Sequence, residues 1–153
     1  MPSPPPGTMD PQRDAGPFVE VVLPSDPADA RGFQDDIEQL LLQSSPASPH
    51  EVFSIKLALE EALINAITHG NQMQRAKKVA VSYRVTPAAF EVRITDEGAG
   101  FNPDDVPDPT AFENLERPCG RGLWLMRHYM NEVSFSERGN AVRMSKLLRN
   151  GQA

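Results

Sequence analysis

One apolar stretch of the chain carries two polar side chains whose spacing limits how it can fold. Residues 59–71 read LEEALINAITHGN, and their apolar side chains recur at the spacing of an amphipathic helix. Glu61 and Asn65 are four residues apart, so they share one face beside the apolar stripe. Glu60 lies roughly 140° around the helix from Asn65 and is interpreted as a solvated charge. A carboxylate and a carboxamide placed together in this way can act on one ligand.

Two interpretations of this helix follow from its residues. The side-chain oxygen of Asn65 is a hard, neutral ligand suited to Mg²⁺, which keeps several waters and takes further ligands from phosphates. Glu61 would then act as a general base or orient one of those waters. The alternative is an ordinary amphipathic helix with a polar rim and a hydrogen-bonded asparagine. The segment alone leaves both interpretations open.

A second motif, DEGAGF at residues 96–101, comes directly after a predicted strand. Gly98 and Gly100 allow positive φ and a close approach of the backbone to a ligand. Asp96, at the strand end, can accept a hydrogen bond from an exocyclic amine such as that of adenine. Asp and Gly are also common in ordinary turns. The motif is not the dinucleotide-binding fingerprint, because the third glycine and the helix that follows it are missing.

A third motif, Gly120-Arg121-Gly122, is predicted to open a helix. A helix start offers free backbone N–H groups and a positive dipole end to a phosphate. Arg117 and Arg121 flank the turn and can complete the neutralisation of that phosphate. A glycine turn before a core helix is the alternative for this motif taken singly. The three motifs occur in the order that a nucleotide site needs, and their conjunction favours such a site.

The remaining patterns predict a two-layer α/β sandwich, with a mixed, mainly antiparallel sheet covered on one face by helices. An irregular segment rich in Pro and Asp, residues 101–119, is interpreted as a lid over the site. The predicted elements are a strand at 18–23, a helix at 26–43, a capped helix from Ser48 to Gly70-Asn71, a hairpin of 79–85 with 90–95, a helix containing Leu123 to Val133, and a hairpin of 134–137 with 141–147.

Composition sets the broad class. Residues 1–16 are rich in proline and predict a disordered tail, which leaves residues 17–149 of the 153 as one domain. The net charge of −6 argues against a nucleic-acid surface. No apolar run approaches the roughly 20 residues of a membrane helix, and the start lacks a secretory signal. Cys119 is the only cysteine, so no internal disulfide can form. We therefore expect a cytoplasmic protein.

Together the three motifs resemble the ATP-binding domain of the GHKL superfamily, which has the Bergerat fold. The resemblance covers residues 18–148. Within the superfamily the chain is most similar to the stand-alone anti-sigma-factor serine/threonine kinases. The matching segments are EALINAITHG at 61–70, DEGAGF at 96–101, the short lid, GLWLM at 122–126 and VRMSK at 142–146.

The resemblance implies a role for each motif. Asn65 would ligate Mg²⁺ that bridges the ATP phosphates, Glu61 would be the base near the γ-phosphate, and Asp96 would bind the adenine amino group. Arg117 matches a lid arginine that touches the γ-phosphate in kinases of this type, although an extra residue separates it from the second glycine motif. The residues that would shape or line the pocket are Gly98, Gly100, Gly120, Arg121 and Gly122.

The implied reaction is transfer of the γ-phosphoryl group to a serine of an anti-anti-sigma partner of the STAS type. The same protein would bind a sigma factor when that partner is phosphorylated, and it would form a homodimer. The resemblance includes neither a nucleic-acid nor a membrane partner.

Other functions stay open at this point. A histidine-kinase fragment would need an upstream phosphoacceptor hairpin, but residues 1–49 offer one short helix, and Trp124 stands where histidine kinases carry a later glycine. A nucleotide-gated binding protein would use ATP only to order its lid, although Glu61 favours a kinase. A scaffold protein would bind no ATP. The remaining candidates for chemistry are interpreted as structural: His50, His69, His128 and Cys119.

Overall fold

The protein is described by a computed structural model that covers residues 17–99 and 118–148. The predicted tail and nearly all of the predicted lid lie outside these residues. The regular elements are β1 (Val19–Pro24), α1 (Pro27–Ser44), α2 (Pro49–Ile64), a π-helical segment (Asn65–Gly70), β2 (Lys78–Val85), β3 (Ala89–Thr95), α3 (Pro118–Tyr129), β4 (Glu132–Phe135) and β5 (Ala141–Leu147).

The five described strands form one sheet in the order β1-β2-β3-β5-β4. Strands β2 and β3 make the predicted hairpin, in which Val85 lies opposite Phe90. Strands β4 and β5 make the closing hairpin, turned at Gly139, whose φ is 73°. All four pairings among the described strands are antiparallel, so the parallel component expected for a mixed sheet is not found in this part of the chain.

Helices cover one face of the sheet, which confirms the two-layer α/β sandwich. Alternate residues of β3 point into the core, as period-2 patterning requires, and so do those of β2 and β5. They pack against α1 and α2, where Ile37, Leu41, Ile55, Leu59 and Leu63 are almost fully buried. No helix within residues 17–99 and 118–148 is long and apolar enough to cross a membrane.

The predicted starts of α1 and α2 are confirmed. Asp26 caps α1 by accepting a hydrogen bond from the Ala28 N–H at 2.9 Å. At the start of α2 the capping box is complete, because Ser48 Oγ accepts from the Glu51 N–H at 3.1 Å and Glu51 Oε1 accepts from the Ser48 N–H at 2.9 Å. These caps fix where α2 begins, and thus where Glu61 and Asn65 fall along it.

The prediction that the second glycine motif opens the third helix is confirmed, but the predicted end of this helix was wrong. Helix α3 begins at Pro118, so Gly120 and Gly122 lie in its first turns. It ends at Tyr129, and Val133 belongs to β4. After Tyr129 the chain pairs with β5 of the sheet, since the N–H of Asn131 donates to the Ser145 carbonyl at 2.9 Å. Helical spacing alone could not reveal this pairing.

Candidate functional site

The long central helix changes its pitch where the predicted site begins. Helix α2 is regular to Ile64, and the chain continues as a π-helical segment from Asn65 to Gly70. π-Helical turns are rare and are frequent at functional sites. The segment therefore carries Asn65 at one end and Gly70 at the other, and each end meets a different part of the candidate site.

Glu61 and Asn65 converge on the backbone of Gly122 in α3. A Cβ atom built on Gly122 would lie 2.9 Å from Glu61 Oε2, 3.2 Å from Asn65 Nδ2 and 3.7 Å from Asn65 Oδ1. Both side chains are half-buried, and the predicted common face is thereby confirmed. Glu60 is exposed, as expected for a solvated charge. A carboxylate and a carboxamide thus face one point on the neighbouring helix.

Helices α2 and α3 pack against each other, and their contacts at the two ends show that they run in opposite directions. At one end Gly122 faces Glu61 and Asn65. At the other end the rings of Phe53 and Tyr129 meet edge to face, with centroids 6.0 Å apart. This packing brings the start of α3, with its free backbone N–H groups, to the end of α2, where Glu61 lies and where Asn65 begins the π-helical segment.

Asp96 lies directly after β3, against the other end of the π-helical segment. A Cβ atom on Gly70 would come within 2.7 Å of Asp96 Oδ1, and one on Gly98 would come within 2.9 Å of the same oxygen and would overlap the Gly70 carbonyl. Gly139 is the only described glycine with positive φ. The positive φ predicted as one reason for Gly98 is therefore not found, and close approach is what requires glycine there.

The carboxyl group of Asp96 is held inside this turn. Its Oδ1 accepts a hydrogen bond from the Gly98 N–H at 2.7 Å. Burial raises the pKa of Asp96, and the Gly98 hydrogen bond and the positive charges of Arg138 and Lys77 oppose that rise. The half-buried carboxylate is an acceptor with a fixed position, as recognition of an exocyclic amine requires.

The turn of the closing hairpin supports the backbone of Asp96. The Asp96 N–H donates to the Asn140 carbonyl at 2.8 Å, and Asn140 Nδ2 donates to the Asp96 carbonyl at 3.2 Å. Arg138 also donates to the Gly98 carbonyl, at 3.4 Å. The sequence predicts only a hairpin turn between residues 137 and 141, because pairing across 44 residues leaves no local signal.

Asn71 is a second residue whose contribution the sequence did not reveal. It was interpreted as a helix end, yet it is fully buried, and its side chain bonds to Ser25, Lys78 and Glu97. The left-handed exit from the helix falls on the next two residues, Gln72 (φ 52°) and Met73 (φ 60°). Gly70, the glycine predicted at the helix end, does not make this exit. Its lack of a side chain instead allows the close contact with Asp96.

The other predicted site residues divide into two groups. Gly100 and Arg117 lie outside the described residues. Gly120 and Arg121 lie in the first turns of α3, in a stretch whose side chains are not described. The chemical roles assigned to all of these residues, and to Glu61, Asn65 and Asp96, remain predictions.

The donor set suits a cation that draws most of its ligands from elsewhere. No group of three or more His, Cys, Asp or Glu side chains that could hold a metal ion occurs within residues 17–99 and 118–148. Glu61 Oε2 and the Asn65 carboxamide nevertheless lie close together beside Gly122, and the side-chain oxygen of each residue is within 4 Å of the Cβ position of Gly122. That arrangement fits Mg²⁺, which takes one or two protein ligands and completes its shell with phosphates and waters.

Comparisons with known proteins agree with this geometry. A family model described as the histidine kinase-like ATPase domain matches residues 23–146. The chain is 35% identical to the anti-sigma F factor of Bacillus thuringiensis over 109 residues. These aligned residues cover 67% of this chain and 74% of the anti-sigma F factor. Serine/threonine-protein kinase BtrW of Bordetella bronchiseptica is 31% identical over 88 residues, which cover 56% of this chain and 62% of BtrW. The match thus spans less than two thirds of BtrW.

Proposed function

Since the chain belongs to the histidine kinase-like ATPase domain family, we propose that it is an ATP-dependent serine/threonine protein kinase that also acts as an anti-sigma factor. The observation that carries the proposal is the convergence of Glu61 and Asn65 on Gly122. The names of the relatives, an anti-sigma F factor and a serine/threonine-protein kinase, point in the same direction.

The turn after β3 would bind the base. Asp96 would accept a hydrogen bond from the exocyclic amine of adenine, and it lies closely packed against Gly70 and Gly98. With Oδ1 already bonded to the Gly98 N–H, Oδ2 is the atom for the amine. Gly100 would continue this wall of the pocket.

The space between α2 and α3 would bind the phosphates. Asn65 would supply its side-chain oxygen to Mg²⁺, which when bound offsets the negative charge of the phosphates during transfer. Free N–H groups at the start of α3, at and around Gly120, would bind phosphate oxygens. The guanidinium groups of Arg117 and Arg121 would neutralise the negative charge of the phosphoryl group during its transfer.

Glu61 would accept the proton of the substrate serine. As the serine Oγ attacks the γ-phosphorus, the P–O bond to the β–γ bridging oxygen breaks, and ADP leaves with the bonding electron pair. A carboxylate next to Asn65 is well placed for this, because the metal-bound phosphate and the attacking hydroxyl must meet at one point.

The protein substrate would be an anti-anti-sigma factor of the STAS type, and the regulated client a sigma factor. We propose that the protein works as a homodimer in the cytoplasm. Partner switching of this kind is supported by the anti-sigma F factor relatives, and the kinase step is supported by the close placement of Glu61 and Asn65.

The test is phosphoryl transfer from γ-labelled ATP·Mg²⁺ to STAS-domain proteins of the same genome. Wild type should label one of them, and both Glu61→Ala and Asn65→Ala should lose at least about 10²-fold in rate, the usual contribution of a general base or a key charge stabiliser. Glu60→Ala is the matched control, since it removes an exposed carboxylate from the same helix and should leave the rate unchanged.

Other outcomes identify the alternatives. Intact ATP binding without labelling of any candidate would replace the kinase with a nucleotide-gated binding protein. Absence of ATP binding would reject the whole proposal. Equal losses in Glu60→Ala and Glu61→Ala would show that the helix surface, and not the site, had been disturbed.

A further inference from the structure

The side chain of Asn71 uses its hydrogen-bonding groups inside the protein, in a fully buried position. Its Nδ2 donates to Ser25 Oγ at 2.9 Å and to the Lys78 carbonyl at 3.0 Å. Its Oδ1 accepts from the backbone N–H of Glu97 at 2.8 Å. One side chain therefore joins the end of β1, the start of β2 and the turn after β3.

We propose that Asn71 is a positioning residue for base recognition, which acts by fixing the peptide that follows Asp96. The inference rests on the proposed function, because it assumes that Asp96 binds the adenine amine. It assigns a share of the preference for ATP to a residue that does not touch the nucleotide.

The Asp96 carboxylate is held by supports on both sides. On one side, Asn140 exchanges two hydrogen bonds with the backbone of Asp96. On the other side, Asn71 holds the N–H of Glu97, while the side chain of Glu97 accepts from the Lys78 N–H. Between these supports the Gly98 N–H bonds to Asp96 Oδ1. Loss of the Asn71 support would free the peptide that sets the direction of the carboxylate.

A carboxamide is required at this position. The Lys78 carbonyl needs a donor, and the Glu97 N–H needs an acceptor, and a carboxamide supplies both from one short side chain. A carboxylate would place an oxygen against the Lys78 carbonyl in a site without water access, which is costly. Alanine would leave both backbone groups without their present partner.

Asn71 also connects the base end of the site to its phosphate end. It follows the π-helical segment directly, and its own N–H closes that segment by donating to the Ala66 carbonyl at 2.8 Å. The segment begins at Asn65 and ends at Gly70, which touches Asp96. The bond to Glu97 thus sets the turn after β3 relative to the helix that carries Asn65.

Ser25 offers a matched control. It is 3% exposed, accepts from Asn71 Nδ2 and donates to the Lys77 carbonyl at 2.7 Å. Ser25→Ala removes two hydrogen bonds of the same network and leaves the bond to Glu97 in place. Both Ser25→Ala and Asn71→Ala should lower the melting temperature. A loss of nucleotide affinity found only in Asn71→Ala therefore reports on the bonds that Asn71 makes without Ser25, which are those to the Glu97 N–H and to the Lys78 carbonyl.

The experiment measures the dissociation constants of ATP·Mg²⁺ and GTP·Mg²⁺ for both variants and for wild type, well below their melting temperatures. In Asn71→Ala the affinity for ATP should fall about three- to tenfold, as expected for the loss of one ordering hydrogen bond. The ATP-to-GTP preference should fall by a similar factor, whereas phosphoryl transfer at saturating ATP should change little. Ser25→Ala should keep both affinities within about twofold.

Equal losses of ATP affinity in the two variants, or an unchanged ATP-to-GTP preference in Asn71→Ala, would overturn the proposal and leave Asn71 a purely structural residue. If Asn71→Ala does not fold, Asn71→Ser is compared with Ser25→Ala by the same criteria. A wild-type protein that binds no ATP would contradict the proposed function itself, and is thus distinguishable from a failure of this inference.

Discussion

Gly122 is the residue at which the two helices of the candidate site meet. A methyl group there would lie 2.9 Å from Glu61 Oε2, which is closer than a Cβ atom tolerates. Glu61 is flexible enough to move aside, so the fold can absorb the change. The carboxylate would then no longer face the point that Asn65 faces. The absence of a side chain at Gly122 is therefore needed for the proposed chemistry.

Gly122→Ala should therefore separate stability from activity. Alanine favours a helix over glycine by about 0.5–1 kcal/mol, which offsets the cost of moving Glu61, so the free energy of unfolding should stay the same or rise slightly. Phosphoryl transfer should fall by at least about 10²-fold, because the base is displaced. Gly32→Ala on α1 is the control, since nothing lies within 4 Å of its new methyl group. It should gain stability and keep full activity.

At the scale of elements, α2 carries its function at one end and its cap at the other. Ser48→Ala removes the hydrogen bond from the Glu51 N–H and should lower the free energy of unfolding by about 1 kcal/mol. ATP affinity should not change, because the cap is more than two helical turns from Glu61. Chemical denaturation of Ser48→Ala beside Ser44→Ala, an exposed serine at the end of α1, measures this loss. A cap variant that also lost ATP binding would mean that α2 does not hold its register without its cap.

The same elements explain what the sequence could predict. Helix starts were correct because Asp26 and Ser48 bond to residues two or three positions away, within reach of a local pattern. The shared face of Glu61 and Asn65 follows from helix periodicity alone. The end of α3 was wrong because the Asn131 backbone pairs with β5. The contact of Gly122 with α2, and that of Asn71 with Glu97, depend on packing between elements that are distant in sequence.

At the scale of the whole molecule, the half-buried carboxylate of Asp96 lowers the stability of the folded protein. Burial raises the pKa of Asp96 despite the Gly98 N–H and the nearby Arg138 and Lys77. A raised pKa means that the folded state binds a proton more readily than the unfolded state. The ionised carboxylate thus lowers stability at neutral pH. That loss disappears as the pH falls through the raised value towards the ordinary pKa of about 3.9.

Asp96→Asn tests whether this charge is kept for ligand recognition. The variant should unfold at a higher denaturant concentration than wild type at pH 7, and the difference should shrink as the pH is lowered, because protonation removes the charge of Asp96. ATP affinity should nevertheless fall. If the Asn oxygen keeps the Gly98 N–H, its amide group faces the adenine amine, donor against donor. Greater stability with weaker binding would be a trade-off of the kind found at functional sites. Lower stability at pH 7 would instead make Asp96 a structural anchor of the turn after β3.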